Sequence, residues 1–290
     1  MDAKRRGTGG GLKEDGKTRR VGWVTCAEQR RPTDLERDFL NANRKGMRTS
    51  LQLPELDRRS LLFFIVPQAG ILVRETSRFR TELKVNHWPC IISGDFNFAP
   101  DDAAYSLLVG DTLLPEQEQR LLSSYVVHFS VDPTVPRAVT AALEEGGEEA
   151  VDPDRVITSA RAATPADGLL SPTELIEFFS RIPRLRSTYD FGLSKVKDLA
   201  GLQTFGSRVA LGPSRRGSYE PAYTSYTHYW KTVLDYVFVM DPVDRRSDVI
   251  ALLSLHRTAD LEPGLPQKGV CSSDHISLAA ELCCERTRES

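Results

Sequence analysis

Between Val233 and Met240 the chain reads Val-Leu-Asp-Tyr-Val-Phe-Val-Met, an apolar run broken by a single carboxylate, Asp235. β-Branched and aromatic side chains suit a pleated, half-buried surface, so the stretch from Thr232 to Met240 reads as a strand. Asp235 has apolar neighbours on both sides there and should be buried. A buried charge requires a partner, since leaving it unpaired in a low-dielectric interior is costly. A histidine partner would have its tautomer fixed and its pKa raised. A purely structural buried aspartate is the alternative.

At 290 residues the chain is long enough for one large α/β domain or two smaller ones. An apolar fraction of 40% and a charged fraction of 27% describe an ordinary soluble protein. The net charge of −2 gives no bulk attraction to nucleic acid, so any such binding must be local. No run approaches the length of a membrane span, and no apolar segment follows the charged N-terminus as a secretory leader would. Five cysteines, an odd number without metal-ligand spacing, read as reduced structural thiols of the cytoplasm or nucleus.

Residues 1 to about 20, rich in Gly, Lys and Arg, read as a disordered tail. From Val21 to Ser60 periodicity is weak, with a helix expected only around Asp34 to Asn43. Leu61 to Val66 reads as a buried strand ended by Pro67. Gln68 to Val85 reads as an amphipathic helix with Leu72, Phe79 and Leu83 on its apolar face. Asn86-His87-Trp88-Pro89 stops it, and Cys90 to Ser93 forms a short strand that delivers Gly94-Asp95. Asp101 or Asp102 caps the next helix and Gly110 ends it. Residues 136–165, with Glu144, Glu145, Glu148 and Glu149, read as a flexible acidic insertion. Ser171-Pro172-Thr173-Glu174 is a capping box opening a helix through Phe179. Asp167-Gly168 mimics part of a calcium loop, but Ala163 and Pro165 stand where carboxylates would be needed, which excludes that ion. Val249 to Leu253 reads as a buried strand, and Ile276, Leu278, Ala280 and Leu282 share one face of a last one.

Two further clusters accompany Asp235. Asp95 and Asn97 flank Phe96, and on an extended backbone they point to the same side. Such a pair orients a water and holds a phosphate oxygen, or merely forms a strand-ending turn. Asp274-His275 sets an oxygen ligand suited to Mg beside an imidazole able to stabilise an oxyanion, or else caps the strand that follows. Upstream, Tyr223, Tyr226, Tyr229 and Trp230 supply rings for stacking bases and Lys231 a cation for phosphate, although aromatics before a strand also fill cores.

Gly94-Asp95-Phe96-Asn97, Leu234-Asp235-Tyr236 and Ser273-Asp274-His275, in this order, resemble the main motifs of the endonuclease/exonuclease/phosphatase superfamily of metal-dependent phosphodiesterases. Gln68-Ala69-Gly70-Ile71-Leu72, Tyr105-Ser106-Leu107-Leu108 and Tyr226-Thr227-His228-Tyr229-Trp230-Lys231 look like the Ngl-type RNA exonucleases, relatives of the Ccr-type deadenylases. The resemblance runs from about Pro67 to Leu282. It implies a four-layer α/β/β/α sandwich of the DNase I-like type and Mg-dependent 3′-5′ hydrolysis of RNA, with Mn as a substitute metal. It implies that Asp95 activates water with Asn97, that Asp274 serves the metal, that His275 stabilises the transition state, and that Asp235 orients His275. Trp230 falls where deadenylase relatives place an aromatic against a base, with Lys231 next to it as the cation for phosphate. The chain departs from the pattern upstream. The expected Asn-bearing strand, metal-binding Glu and later His-bearing strand are missing, and Glu28-Gln29 has its two residues in reversed order. The domain is therefore expected to occupy residues 61–290 and to be incomplete at its N-terminal half, with residues 1–60 outside it. An incomplete gene model, a fragment and a truncated non-catalytic descendant are the competing explanations, the abrupt change of pattern near Leu61 favouring the first. An RNA-binding or assembly protein that keeps the fold without cleaving is the alternative function.

Overall fold

The computed structural model describes residues 18–25, 60–129, 131–136, 159–199, 201–269 and 271–285. The chain opens with β1 (Thr18–Thr25), α1 (Ser60–Glu82), β2 (Cys90–Asp95), α2 (Ala103–Val109), α3 (Pro115–Ser123), β3 (Val126–His128) and β4 (Ala160–Ala162). After these come α4 (Pro172–Ser180), β5 (Arg186–Ser187), α5 (Thr188–Leu193), α6 (Phe205–Arg208), β6 (Ser225–Tyr226) and β7 (Lys231–Thr232). The last elements are β8 (Asp235–Met240), β9 (Asp248–Leu252), α7 (Thr258–Leu261) and β10 (Ala279–Glu285). The fold is mixed α/β with small antiparallel sheets: β2-β8-β5, β1-β10-β9, and the pairs β3-β4 and β6-β7.

Strand β8 is the centre of the first sheet, and all of its residues are buried. Its side chains alternate between two apolar environments, as the two-residue period of a strand requires. Tyr236, Phe238 and Met240 enter a cluster with Val66 and Val73 of α1 and Tyr105 and Leu108 of α2. Val237 enters a second cluster with Tyr189, Leu193, Leu278 and Ala280, where residues of α5 and of the second sheet meet it. Strands covered on both faces carry near-continuous apolar runs, which accounts for the composition of Val233–Met240. Within the first cluster the rings of Tyr236 and Phe238 stack with centroids 5.0 Å apart, and Phe96 meets Phe238 edge-on at 5.1 Å. The Tyr236 hydroxyl donates to the Phe98 carbonyl at 2.8 Å, so this phenol is buried without a lost hydrogen bond.

Leu61 to Val66 is not a strand. It forms the opening turns of α1, and Pro67 lies inside that helix. An apolar run of six residues fits a helix or a strand equally by period, and burial of Ile65, Val66, Ala69 and Val73 against the first cluster decides for the helix. The orientation of α1 also differs from the expected one. Leu72, Phe79 and Leu83 are 41%, 44% and 54% exposed. The buried face instead carries Ala69, Gly70 and Val73 at its middle, where α4 passes so close that a Cβ on Gly70 would lie 2.4 Å from the Phe178 ring. Arg80 is on this buried face, where its guanidinium donates to the Asn86 carbonyl at 3.0 Å and to that of Trp88, fastening the helix to the loop before β2.

Other expectations were met or shifted locally. Gly110 closes α2 in the left-handed conformation at φ 79°. Asp102 stands at its N-cap, but its side chain makes no bond to the first turn and accepts instead from the Ala99 amide at 2.8 Å. The Ser171–Glu174 capping box opens α4. Strand β9 is half-buried, with Ile250 52% exposed, because it is an edge strand packed on α5 along one face only. Residues 160–162 within the expected insertion pair with β3 as β4, while 137–158, including the glutamate run, lie outside the described residues. The helix expected near Asp34 also lies outside them. The expected disordered tail ends earlier than about residue 20, because Thr18–Thr25, running from that tail into the stretch of weak periodicity, pairs with β10 as β1. No described helix is long and apolar enough to cross a membrane.

Glu220 is 1% exposed and accepts a 2.7 Å hydrogen bond from the Tyr105 hydroxyl. Burial, reinforced by the charge of Asp190, pushes its carboxyl up to about 8 against the hydrogen bonds of Ser187 and Tyr105. Between the ordinary glutamate range and about 8, the native chain therefore holds a proton that the unfolded chain has released. Stability from this group is full at low pH and declines as pH rises through that window. Urea unfolding at pH 5 and pH 8.5 should show this decline, and Glu220→Gln should remove from it on the order of a few kcal/mol.

Candidate functional site

The N-terminal end of β8 and the C-terminal end of β2 form one edge of the first sheet. Their antiparallel register places Asp95 directly opposite Asp235. Gly94 precedes with φ 149°, a conformation closed to residues with a Cβ, so the turn toward the site needs glycine at this position. The ladder continues one step further through the Phe96 amide, which donates to the Leu234 carbonyl at 2.8 Å. The Phe96 ring packs against the aromatic cluster, while Asp95 and Asn97 on either side are exposed.

Asn97 is not extended, as the alternation argument assumed. It adopts φ 56°, and its amide donates to Asp95 Oδ1 at 2.9 Å. Asparagine tolerates this left-handed conformation better than most residues, and the aspartate oxygen closes the turn locally. The strand-ending turn and the exposed carboxylate are thus features of the same four residues.

Asp235 is 6% exposed, and its Oδ2 lies 2.8 Å from Nδ1 of His275. With a carboxylate at Nδ1, the ring carries its proton there and presents Nε2 to the outside. Burial lowers the basicity of His275, but the hydrogen bond and charge of Asp235, with the charges of Asp95 and Asp274, outweigh it and raise the pKa above the usual histidine range. Burial likewise raises the Asp235 carboxyl, opposed by His275 and by Thr224. Three carboxylates therefore favour the charged form of His275, of which Asp235 alone is in direct contact with the ring.

Thr224 fastens these pieces together, and sequence reasoning missed it. Fully buried, it accepts hydrogen bonds at its hydroxyl from the amides of Leu234 at 2.8 Å and Asp235 at 2.9 Å. Its own carbonyl accepts from the Ile276 amide at 2.7 Å, and the next residues bridge Ser225 to His275. The Tyr226 amide then donates to the Asp274 carbonyl at 3.0 Å. A single threonine among tyrosines and serines carries no local signal of this role.

The hairpin β6–β7 projects beside the same segment. At its tip the Thr227 hydroxyl accepts from the amides of Tyr229 at 3.0 Å and Trp230 at 2.6 Å. Tyr229 is 89% and Trp230 44% exposed. Tyr226, by contrast, is a core residue, and its hydroxyl donates to Glu262 at 2.5 Å. Lys231 sits over the Tyr226 ring with its ammonium 3.2 Å from the same carboxylate.

Among the described residues no group of three or more His, Cys, Asp or Glu side chains is arranged to hold a metal ion. Mg does not require such a cage, since it keeps several waters and takes one or two carboxylates together with substrate phosphate. Asp95 and Asp274, both close enough to act electrostatically on His275, supply oxygen donors of that kind. Glu28 and Gln29 lie outside the described residues.

No family model matches the chain. Over 231 residues it is 22% identical to a probable RNA exonuclease of Schizosaccharomyces pombe, an alignment that covers 74% of this chain and 45% of the relative. The chain thus spans less than half the length of the curated relative it matches.

If Thr224 holds the site as described, Thr224→Val should strand two buried amides. Urea unfolding should then show a loss of about 2–4 kcal/mol, which Thr224→Ser largely restores.

Proposed function

We propose that this chain carries the phosphodiester-cleaving end of a Mg-dependent 3′-5′ RNA exonuclease of the endonuclease/exonuclease/phosphatase kind, on a sandwich of the DNase I-like type. The observation that carries the reading is the 2.8 Å contact between buried Asp235 and His275, with Asp95 opposite on the neighbouring strand. A structural salt bridge would not require an exposed carboxylate across from it. Likeness to a protein named as an RNA exonuclease supports RNA as the substrate.

In this reading Asp95 orients the attacking water and takes its proton, while Asn97 holds the water against the phosphate. His275, held by Asp235 and with its charged form favoured by it, donates in that form to the non-bridging oxygen on which negative charge develops. Bound at Asp274, Mg would neutralise phosphate charge and polarise the phosphorus centre. Trp230 stacks on a base, which positions the scissile bond without selecting sequence. Such an enzyme acts in the cytoplasm or nucleus.

The second reading, an RNA-binding protein that does not cleave, is motivated by the metal-binding Glu and the Asn-bearing strand of the resembled family, which the sequence does not show in a matching setting. Labelled oligoadenylate and mixed-sequence RNA, incubated with Mg and the full chain, separate the two. The nuclease reading expects products shortened from the 3′ end, a fall to background in Asp274→Ala, and a loss of about 10²–10³-fold in His275→Ala. Equal background signals from the wild type and Asp274→Ala would leave only the binding reading. Trp230→Ala should weaken RNA binding by about 1–3 kcal/mol in either case, measured by fluorescence anisotropy.

A further inference from the structure

A second concave site lies at the other end of β8. A cleft of about 670 Å³ is lined by residues flanking β5, by α5 and by the turn from β8 to β9. Asp235 and Asp241 bracket β8, so the cleft and the candidate active site are separated by about 20 Å of strand. The volume falls within the range of about 300–1,000 Å³ usual for small-ligand sites.

The lining is unusually rich in guanidinium groups. Arg184, Arg186, Arg216, Arg245 and Arg246 face Asp190, Asp241 and Asp244, five cations against three carboxylates. This local excess of positive charge occurs in a chain whose net charge is −2. Three of the arginines are already paired. Arg186 meets Asp241 at 2.7 Å, Arg245 meets Asp244 at 2.9 Å, and Arg216 meets Asp111, just outside the lining, at 2.7 Å. Arg184 and Arg246 are exposed and make no ion pair or hydrogen bond among the described residues. Arg186 uses Nε and Nη2 on Asp241 and the Ser247 carbonyl, yet its buried Nη1 has no acceptor.

The acids in the cleft do not cancel this excess. Asp241 is consumed by Arg186 and by the amide of Ser247 at 2.9 Å. Asp190 accepts from the Tyr219 amide at 2.9 Å. The planar fork of arginine matches phosphate oxygens, and two unpaired forks at one cleft are a poor way to stabilise a fold. We propose that this cleft binds the phosphate group of a nucleotide-sized phosphorylated ligand, with Arg184 and Arg246 as its contacts. The assignment does not depend on the nuclease reading, because the two sites lie at opposite ends of β8.

Calorimetric titration of the full chain tests it, with adenosine 5′-monophosphate, adenosine and inorganic phosphate as probes. EDTA is kept present so that no metal-dependent binding at the Asp274 end contributes. The nucleotide should bind saturably, inorganic phosphate should compete more weakly, and adenosine should give no heat. The double variant Arg184→Glu/Arg246→Glu should weaken nucleotide binding at least tenfold, while His275→Ala should leave it unchanged. Unchanged melting of the double variant would establish that the loss is local. Should that variant fail to fold, Arg246→Gln alone should weaken binding measurably. Binding that survives the charge changes, is lost in His275→Ala, is matched by adenosine, or is never detected would overturn the proposal. Inorganic phosphate binding as tightly as the nucleotide would overturn its claim to nucleotide size.

Discussion

Everything near the candidate site follows from one constraint: a carboxylate stands in the central strand of a sheet that is apolar on both faces. Asp235 cannot be hydrated there, so its environment must supply hydrogen bonds. Thr224 donates to it and also secures the two amides at the start of β8. His275 supplies the second partner at 2.8 Å. Those requirements fix where residues 224–226 and 274–276 run, and hence where the second sheet begins. A substitution that merely neutralised Asp235 would leave its partners in place and remove their reason to be ordered.

The aromatic cluster imposes the complementary condition from the other side of the sheet. Because Phe96 is held against Phe238, its two neighbours cannot turn inward, and Gly94 permits the sharp change of direction just before them. The exposed position of Asp95 is thus a by-product of apolar packing, and the buried position of Asp235 a by-product of pairing. Opposite each other in register, the two acids experience very different solvation. Environments that differ in this way let neighbouring carboxylates take different roles.

Much of this was legible from residue types. The strand expected over Cys90–Ser93, the glycine that ends α2, the box opening α4 and the burial of Leu278, Ala280 and Leu282 rest on local rules that the chain obeys, whereas Ile276 precedes β10 and packs with Tyr226 and Leu261 instead. That Asp235 would need a buried partner was legible from its apolar neighbours, whereas His275 as that partner came only from the motif resemblance; the 2.8 Å contact joins the two. The failures share another cause. Leu61–Val66, the wrong face of α1 and the half-burial of β9 depended on which neighbours each element meets. The close passage of α4 at Gly70 lies on the face of α1 that carries Ala69 and Val73. Thr224 and β1 act through backbone partners far away in sequence, for which side-chain periodicity has no record.

The Tyr189 hydroxyl lies 3.1 Å from the Leu253 carbonyl and 3.2 Å from that of Ala279, and it also accepts from the Ala279 amide. A phenol has one hydrogen, so two acceptors compete for a single donor. The Ala279 carbonyl also accepts from the Leu253 amide at 2.9 Å, so it keeps a partner whichever way the phenol proton turns. Four residues upstream of Ala279 is His275. The Asp235–His275 pair is thus joined through four residues to a phenol that ties α5 to the end of β9 and the start of β10.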